Sequence, residues 1–276
     1  VEAHHLTDIS YRFLDNVTYD EIIALTATVP EKGSAKETLL ASIAPTVFTY
    51  TLDEAIQDNI SADYDIYVIE MPLDDTAKTI QGGNKKNRFY QSEKRAYEYL
   101  QRQFIQVVMS DKEDKGAIID SIIRKRAQFL YNLPSKQKIA SLVLKKILGD
   151  ERTLVFGGTK KQVETLCGNN VFHSGTDDVA LNKFINGLTS YLCSIRALDE
   201  GGNFPGIDQI FIIQLTGKSR QTIQRIGRAL RKREGHKAKV FILVVTGTED
   251  EEWSKKALEG FDKSKIFYVS YKNFLT

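Results

Sequence analysis

The sequence has little sulfur, little proline and no long apolar run. Only 2 of its 276 residues are cysteine, Cys167 and Cys193, and they form no CxxC pair. That spacing supports neither a disulfide framework nor a structural zinc site, and it makes a reducing compartment the default. No apolar stretch is long enough to span a bilayer and no signal-peptide pattern is present, so the expectation is a cytoplasmic chain without a membrane partner. Internal repeats and low-complexity tracts are missing too. A net charge of +2 means that overall balance points to no particular partner. What remains is 42% hydrophobic and 27% charged, the proportions of an ordinary globular protein with a sizeable core. The length is large for one domain and small for two full α/β domains.

Charge is distributed unevenly along the chain. Between Lys218 and Lys239 lie Arg220, Arg225, Arg228, Arg231, Lys232, Arg233 and Lys237, against a single acid, Glu234. Such a cluster is an electrostatic footprint for phosphate or nucleic acid, although a solvated basic face has the same composition. Within it, Arg220 to Arg231 reads RQTIQRIGRALR. At helical spacing Gln224, Arg228 and Arg231 fall at i, i+4 and i+7 and share one face. Ile223, Ile226 and Leu230 form a separate stripe for a core contact, and Arg225 points away as a structural or surface residue. Gly227, costly inside a helix, suggests a close backbone approach or a tight neighbour.

Periodicity divides the chain in two. A short buried strand is expected at Ile22 to Thr26, then a connector with a short helix (36–43) ended by Pro45. A helix at 53–60 and a strand at 65–73 precede a polar stretch, 74–88, read as loop. Helices are expected at 92–109, 117–133 and 136–148, the last with Ser135 as N-cap. From Thr153 onward strands of continuous apolar character alternate with amphipathic helices, which indicates an α/β fold with a parallel sheet covered on both faces.

Four stretches stand in a telling order: VEAHH (1–5), LTAT (25–28), ALDEGGNFPGID (197–208) and QRIGRALR (224–231). With LVFGGTKKQ (154–162) and FHSGT (172–176) between them, the chain resembles the superfamily 2 helicases and translocases of DEAH type, from their motif II through motif VI. The EGxNxP form at Glu200, Gly201, Asn203 and Pro205 is closer to phage, DNA-repair and restriction-type motors than to DEAD-box RNA helicases. The resemblance implies a RecA-like parallel sheet flanked by helices, the second helicase motor domain, over 47–276 with a helical elaboration at about 82–133. Residues 1–46 would then be the end of a first RecA-like domain plus connector.

The same resemblance assigns roles residue by residue. Glu2 would polarise the attacking water and His4 would sense nucleotide state. Val1 falls where the family has the Mg²⁺-associated aspartate, which valine cannot replace, so either the motif is cut here, as in a fragment, or the chain departs from it. Thr26 and Thr28 would couple the ATP and nucleic-acid sites; a strand-end threonine pair satisfying local backbone reads equally well. Gly157, Gly158 and Thr159, and again Ser174, would lie along the sugar-phosphate backbone, since helix N-terminal amides bind phosphate and glycine permits close approach. Tight α/β turns use the same residues without any ligand. Ala197 and Leu198 would approach the strand, while Gly201, Asn203 and Gln224 would contact nucleotide. Arg228 and Arg231 match the arginine fingers, whose planar forks suit an oxyanion.

The cofactors implied are ATP and Mg²⁺, with their ligands mostly outside this chain, and no metal site is expected within it. The partners implied are nucleic acid, DNA in preference to RNA, and the first RecA-like domain. No GxxxxGK[ST] stretch occurs, so this polypeptide alone is expected to bind ATP poorly and not to turn it over. A nucleic-acid-binding scaffold without a motor, and the motor part of a restriction endonuclease, are the rival expectations.

Overall fold

The structure, a computed structural model, describes residues 12, 16–18, 20–26, 33–84, 86–110, 115–195, 206–217, 219–231 and 235–276. The chain divides into two compact units, Val1–Gln57 and Asp58–Thr276. In the first unit, helix α1 (Ala35–Ile43) begins where Ser34 accepts from the Glu37 N–H at 3.1 Å. The Glu37 carboxylate in turn takes the Gly33 N–H at 2.6 Å, a reciprocal cap that fixes the start. Helix α2 (Leu52–Gln57) follows. The buried strand expected at Ile22 to Thr26 does not form. Only an isolated bridge occurs at Leu25, and Ile23 and Leu25 are 71% and 67% exposed. A strand needs neighbours to take its backbone groups, and among the described residues this unit offers it no sheet.

The second unit is built on strands β1 (Asp63–Met71), β2 (Ile80–Gly83), β3 (Arg88–Gln91), β4 (Thr153–Phe156), β5 (Val171–Phe172), β6 (Tyr191–Ser194), β7 (Gln209–Ile212), β8 (Lys237–Val245) and β9 (Ile266–Ser270). Its helices are α3 (Glu93–Val108), α4 (Gly116–Tyr131), α5 (Pro134–Ile147), α6 (Lys160–Cys167), α7 (Val179–Ile185), α8 (Ser219–Ala229), α9 (Glu249–Leu258) and α10 (Tyr271–Leu275). Seven strands form one sheet in the order β5-β6-β4-β7-β8-β1-β9, and every pairing is parallel. Helices flank the sheet, giving the covered parallel α/β architecture that the alternation predicted and that the resemblance implied as RecA-like. Strands β4 and β7 are buried at every residue and β8 at nearly every one, as strands covered on both faces must be. Helices α8 and α9 pack on each other and on β8, and α5 packs with α6 and α10.

Several local expectations are corrected. Helix α5 starts at Pro134 with Leu133 as its N-cap, so Ser135 is inside it. Proline lacks the N–H that the first helical turn leaves unpaired, and Pro134 therefore opens this helix. The free amide of Ser135 is taken instead by the buried Glu93 carboxylate at 2.8 Å. The stretch read as loop contains an antiparallel ribbon, with Gly82 opposite Phe89 and Gly83 opposite Arg88. The elaboration of 82–133 therefore opens with β structure before its two helices. Cys167 and Cys193, whose spacing supported no disulfide framework, are joined as a disulfide with Cα atoms 6.3 Å apart. Sequence separation hid this contact, because α6 ends beside β6, the neighbour of β5 in the sheet.

Candidate functional site

A parallel sheet delivers every connection that leaves a strand to the same edge, and ligands of such folds gather there. Along this edge stand Gly157-Gly158-Thr159 after β4, Ser174-Gly175-Thr176 after β5 and Gln214 after β7, which leads into α8. The structure thus brings Gly157, Gly158, Thr159, Ser174, Gln224, Arg228 and Arg231 into one unit. Thr26, partly buried, lies in the first unit. Glu2, His4, Thr28, Ala197, Leu198, Gly201 and Asn203 lie outside the described residues.

The β4 turn is tight for internal reasons. A Cβ on Gly157 would sit 2.5 Å from Val163 Cγ1, and one on Gly158 would sit 2.9 Å from Gln214 Cγ and 3.2 Å from Tyr131 Cγ. These glycines let α6 and the β7 exit approach the strand end, whatever else they admit. Thr159 caps α6 by accepting from the Gln162 N–H at 3.2 Å, and Gln162 Oε1 accepts the Gly158 N–H at 2.8 Å. That T-x-x-Q capping box was readable in the sequence. It means that the Gly158 amide expected to meet a phosphate is already engaged by the helix's own side chain.

The β5 turn is held by a buried histidine. Gly175 N–H donates to His173 Nδ1 at 3.0 Å, and His173 Nε2 faces Glu164 Oε1 at 3.0 Å. Thr176 Oγ1 accepts the His173 N–H, also at 3.0 Å. The Ser174 side chain is left exposed at the tip. A cation that sequence reasoning missed lies against this turn: the Lys160 ammonium would be 2.9 Å from a Cβ on Gly175. Its position as the first residue of α6, next to Thr159, was the available signal.

The arginine helix departs from the expected geometry in two ways. It ends at Ala229, and Arg231 pairs in an isolated antiparallel bridge with Ser61 while Ala62 N–H donates to Leu230 O at 2.8 Å. Gln224 and Arg228 keep their shared helical face, but Arg231 is on extended backbone and does not continue it. A Cβ added to Gly227 would meet nothing within 4 Å, and the residue is exposed, so it marks no close approach. The stripe is confirmed in part: Ile226 and Leu230 are buried and Ile223 is half-buried.

Arg225 is a structural residue, as one reading had it, but a buried one. It is 2% exposed, its guanidinium stacks 4.6 Å from the Phe156 ring centroid, and Nη2 donates to Ile195 O at 2.5 Å. It thereby ties α8 to the ends of β4 and β6 and sets the helix's rotation. Arg228 is only 8% exposed, whereas Arg231 is open to solvent.

Two buried polar clusters escaped the sequence altogether. Lys136 on α5 is fully buried, donating to Gln214 Oε1 at 2.7 Å and pairing with the buried Asp250 carboxylate on α9. Gln214 Nε2 closes the triangle on Asp250 Oδ1 at 3.0 Å. Burial pushes the Lys136 ammonium below the usual lysine range, and the Asp250 charge and hydrogen bond partly hold it up. Next to it, Arg126 of α4 pairs with Glu249, which also accepts from Tyr97 of α3. Burial lowers Arg126 and raises Tyr97. Among the described residues no group of three or more His, Cys, Asp or Glu side chains could hold a metal ion.

Residues 135–233 match the family described as Helicase conserved C-terminal domain. No curated protein matches the chain. Among solved structures, the C-terminal domain of the DEAD-box protein Dbp5 is 18% identical with a TM-score of 0.42, over 51% of this chain and 86% of that one. S. cerevisiae Dbp5 bound to RNA and ADP BeF3 is 13% identical with a TM-score of 0.44, over 77% and 79%. The ATP-dependent Type ISP restriction-modification enzyme LlaBIII bound to DNA is 13% identical with a TM-score of 0.47, over 83% of this chain and 17% of that one. The family match spans α5 to just beyond α8, and over that stretch the chain is similar to helicase C-terminal domains.

Proposed function

We propose that the chain is the second motor domain of an ATP-dependent nucleic-acid helicase or translocase. The observation that carries this reading is the family match over 135–233, because that stretch holds both strand-end turns and the whole arginine helix. In its finer form the reading is a DEAH-type motor acting on DNA in preference to RNA, on the strength of the EGxNxP pattern at Glu200, Gly201, Asn203 and Pro205. ATP, held chiefly by a first RecA-like domain with its Mg²⁺, would supply the phosphoryl group whose transfer drives the motor.

This chain's residues would act from the opposite side. Arg231, exposed and planar, would neutralise charge on the transferred group. Arg228, largely covered here, would reach it only by turning outward along the face it shares with Gln224. Arg225 would hold α8 in place while this happens. Thr159, Ser174 and Lys160 would contact the sugar-phosphate backbone at the two turns, with Ala197 and Leu198 beside them, so binding would be salt-sensitive and sequence-tolerant. Turnover would require a phosphate cradle, because the sequence contains no GxxxxGK[ST].

The test is nucleic-acid-stimulated ATP turnover by this chain together with its first motor domain, using single-stranded DNA and RNA in separate arms. Arg228→Ala and Arg231→Ala are each expected to lower turnover by ~10³ while binding to the strand changes little. Unchanged turnover in both variants would sink the arginine-finger assignment. Equal stimulation by RNA would overturn the DNA preference.

A further inference from the structure

The ribbon of β2 and β3 is not used by this reading. It stands between the carboxyl end of β1 and the start of α3, so it rises from the same edge of the sheet as the two turns. Its base is fixed. The Glu93 carboxylate accepts from Asp74 N–H at 3.1 Å on one side and from Ser135 on the other, and Asp75 accepts from Ser92 Oγ at 3.1 Å. Its tip is fixed as well. Asn84 Oδ1 accepts the Lys86 and Asn87 amides at 3.0 and 2.9 Å, and Gly83 at φ +86° leaves room for Asn87 O.

The ribbon has two unlike faces, because side chains alternate along each strand. One face carries Ile80, Gly82, Phe89 and Gln91. The Phe89 ring lies over Gly82, where a Cβ would meet it at 2.6 Å, and the other three residues are partly buried. The other face carries Gln81, Gly83, Arg88 and Tyr90, and all four are exposed. Arg88 and Tyr90 are two residues apart and therefore adjacent, and Gly83 opposite Arg88 puts no side chain in the way. From Ala77 to Gln91 the sequence has Lys78, Lys85, Lys86 and Arg88 and no acid. Among the described residues neither Lys86 nor Arg88 forms an ion pair. A rigid, cationic face with one exposed ring, 61% open at Tyr90, matches a polyanion with flat apolar bases.

We propose that the Gln81–Gly83–Arg88–Tyr90 face binds an unpaired nucleotide of single-stranded nucleic acid, with the base stacked on Tyr90 and the phosphates against Arg88 and Lys86. This rests on the nucleic-acid reading above and adds a contact to it. In the sheet order β1 is three strands from β4 and five from β5, about 15–25 Å at ordinary strand spacing, a span for several nucleotides of one extended strand. Phe89, on the other face, supports the ribbon by covering Gly82 and does not stack on the base.

The experiment titrates the whole chain with an oligothymidylate and an oligouridylate carrying one 2-aminopurine, at two salt concentrations. Tyr90→Ala is expected to weaken binding about tenfold, the scale of losing one base–aromatic stack, and to abolish a stacking-dependent quench. Lys86→Gln with Arg88→Gln should keep the quench and lower the salt slope by about 1.4, at ~0.7 per single-strand phosphate contact. Thermal unfolding of Tyr90→Ala, whose ring has no partner among the described residues, should match the parent. If the ribbon variants bind like the parent while Lys160→Gln binds poorly, the ribbon proposal is wrong and the strand-end turns stand. If the parent chain binds neither oligonucleotide at low salt, both fail together. Quenching with DNA alone, or with both, assigns the strand; capture of a protein partner by this face with no effect of Tyr90→Ala on nucleic acid would also overturn the proposal.

Discussion

The two ends of the sheet treat charge in opposite ways. At the amino ends of the strands, Lys237 meets Asp65 at 2.8 Å, Lys265 meets Asp63 at 2.6 Å and Lys239 meets Glu151 at 2.6 Å. Most of these side chains are a quarter to a half exposed, so water screens the pairs and each contributes little. At the carboxyl ends, Lys136, Asp250, Arg126 and Arg225 are removed from water and held by several partners each. Their geometry is fixed because any unpaired group would be costly there. The difference separates a solvated surface from an organised platform, and the platform is the edge to which the strand-end turns and the arginine helix belong.

The strongest way to break this comparison is to remove one member of the buried triangle. Lys136→Met leaves the Asp250 carboxylate buried beside Gln214 alone, and should destabilise the fold by about 3–5 kcal/mol. Urea unfolding would measure it, and Lys136→Met combined with Asp250→Leu should recover most of the loss. A cost under about 1 kcal/mol for the single variant would mean that water reaches the site and the contrast is false. A second, smaller test concerns the elaboration. Arg126→Met should cost about 2 kcal/mol, the scale of hydrogen bonds to charged groups. It should also raise amide exchange in α4 more than in β8, since Arg126 ties that helix to Glu249. Uniform exchange across both would show that the helices are not held through this cluster.

The fold was legible where apolar period and length agree. TLVF, QIFI and KAKVFILVV can only be buried strands in an alternating chain, and the structure has them as such. The short strand at Ile22 to Thr26 was misread because an apolar run does not show whether a sheet is present to receive it. The turns at Gly157 and Ser174 were legible as turns, but their internal engagement by Gln162 and His173 depends on packing. Arg231 shows a limit of periodicity: helical spacing placed it with Gln224 and Arg228, yet its backbone pairs with Ser61, 170 positions earlier. Lys136 and Asp250 lie 114 positions apart, and nothing local in either stretch marks them as partners.

The smallest effect sharpens the comparison through its sign. Burial pushes Lys136 down, so the unfolded chain holds that proton more tightly, and its contribution favours the fold as pH rises toward ~10.4. Lys265 goes the other way: the hydrogen bond to Asp63 raises it, and its contribution is present below ~10.4 and lost as pH rises through the folded value. For Asp63 itself, slight burial pushes upward, but the Lys265 hydrogen bond, the Tyr64 N–H and the nearby lysines outweigh it and lower the group. Its contribution is present above ~3.9 and is lost as pH falls through the folded value. Asp63→Asn should therefore cost less than about 1 kcal/mol at pH 7, and the cost should vanish in acid and shrink in high salt. Unfolding free energy measured from pH 3 to pH 7 would check this. A loss above about 2 kcal/mol, or one insensitive to salt, would mean that the amino end is organised like the carboxyl end and that charge does not distinguish the two edges.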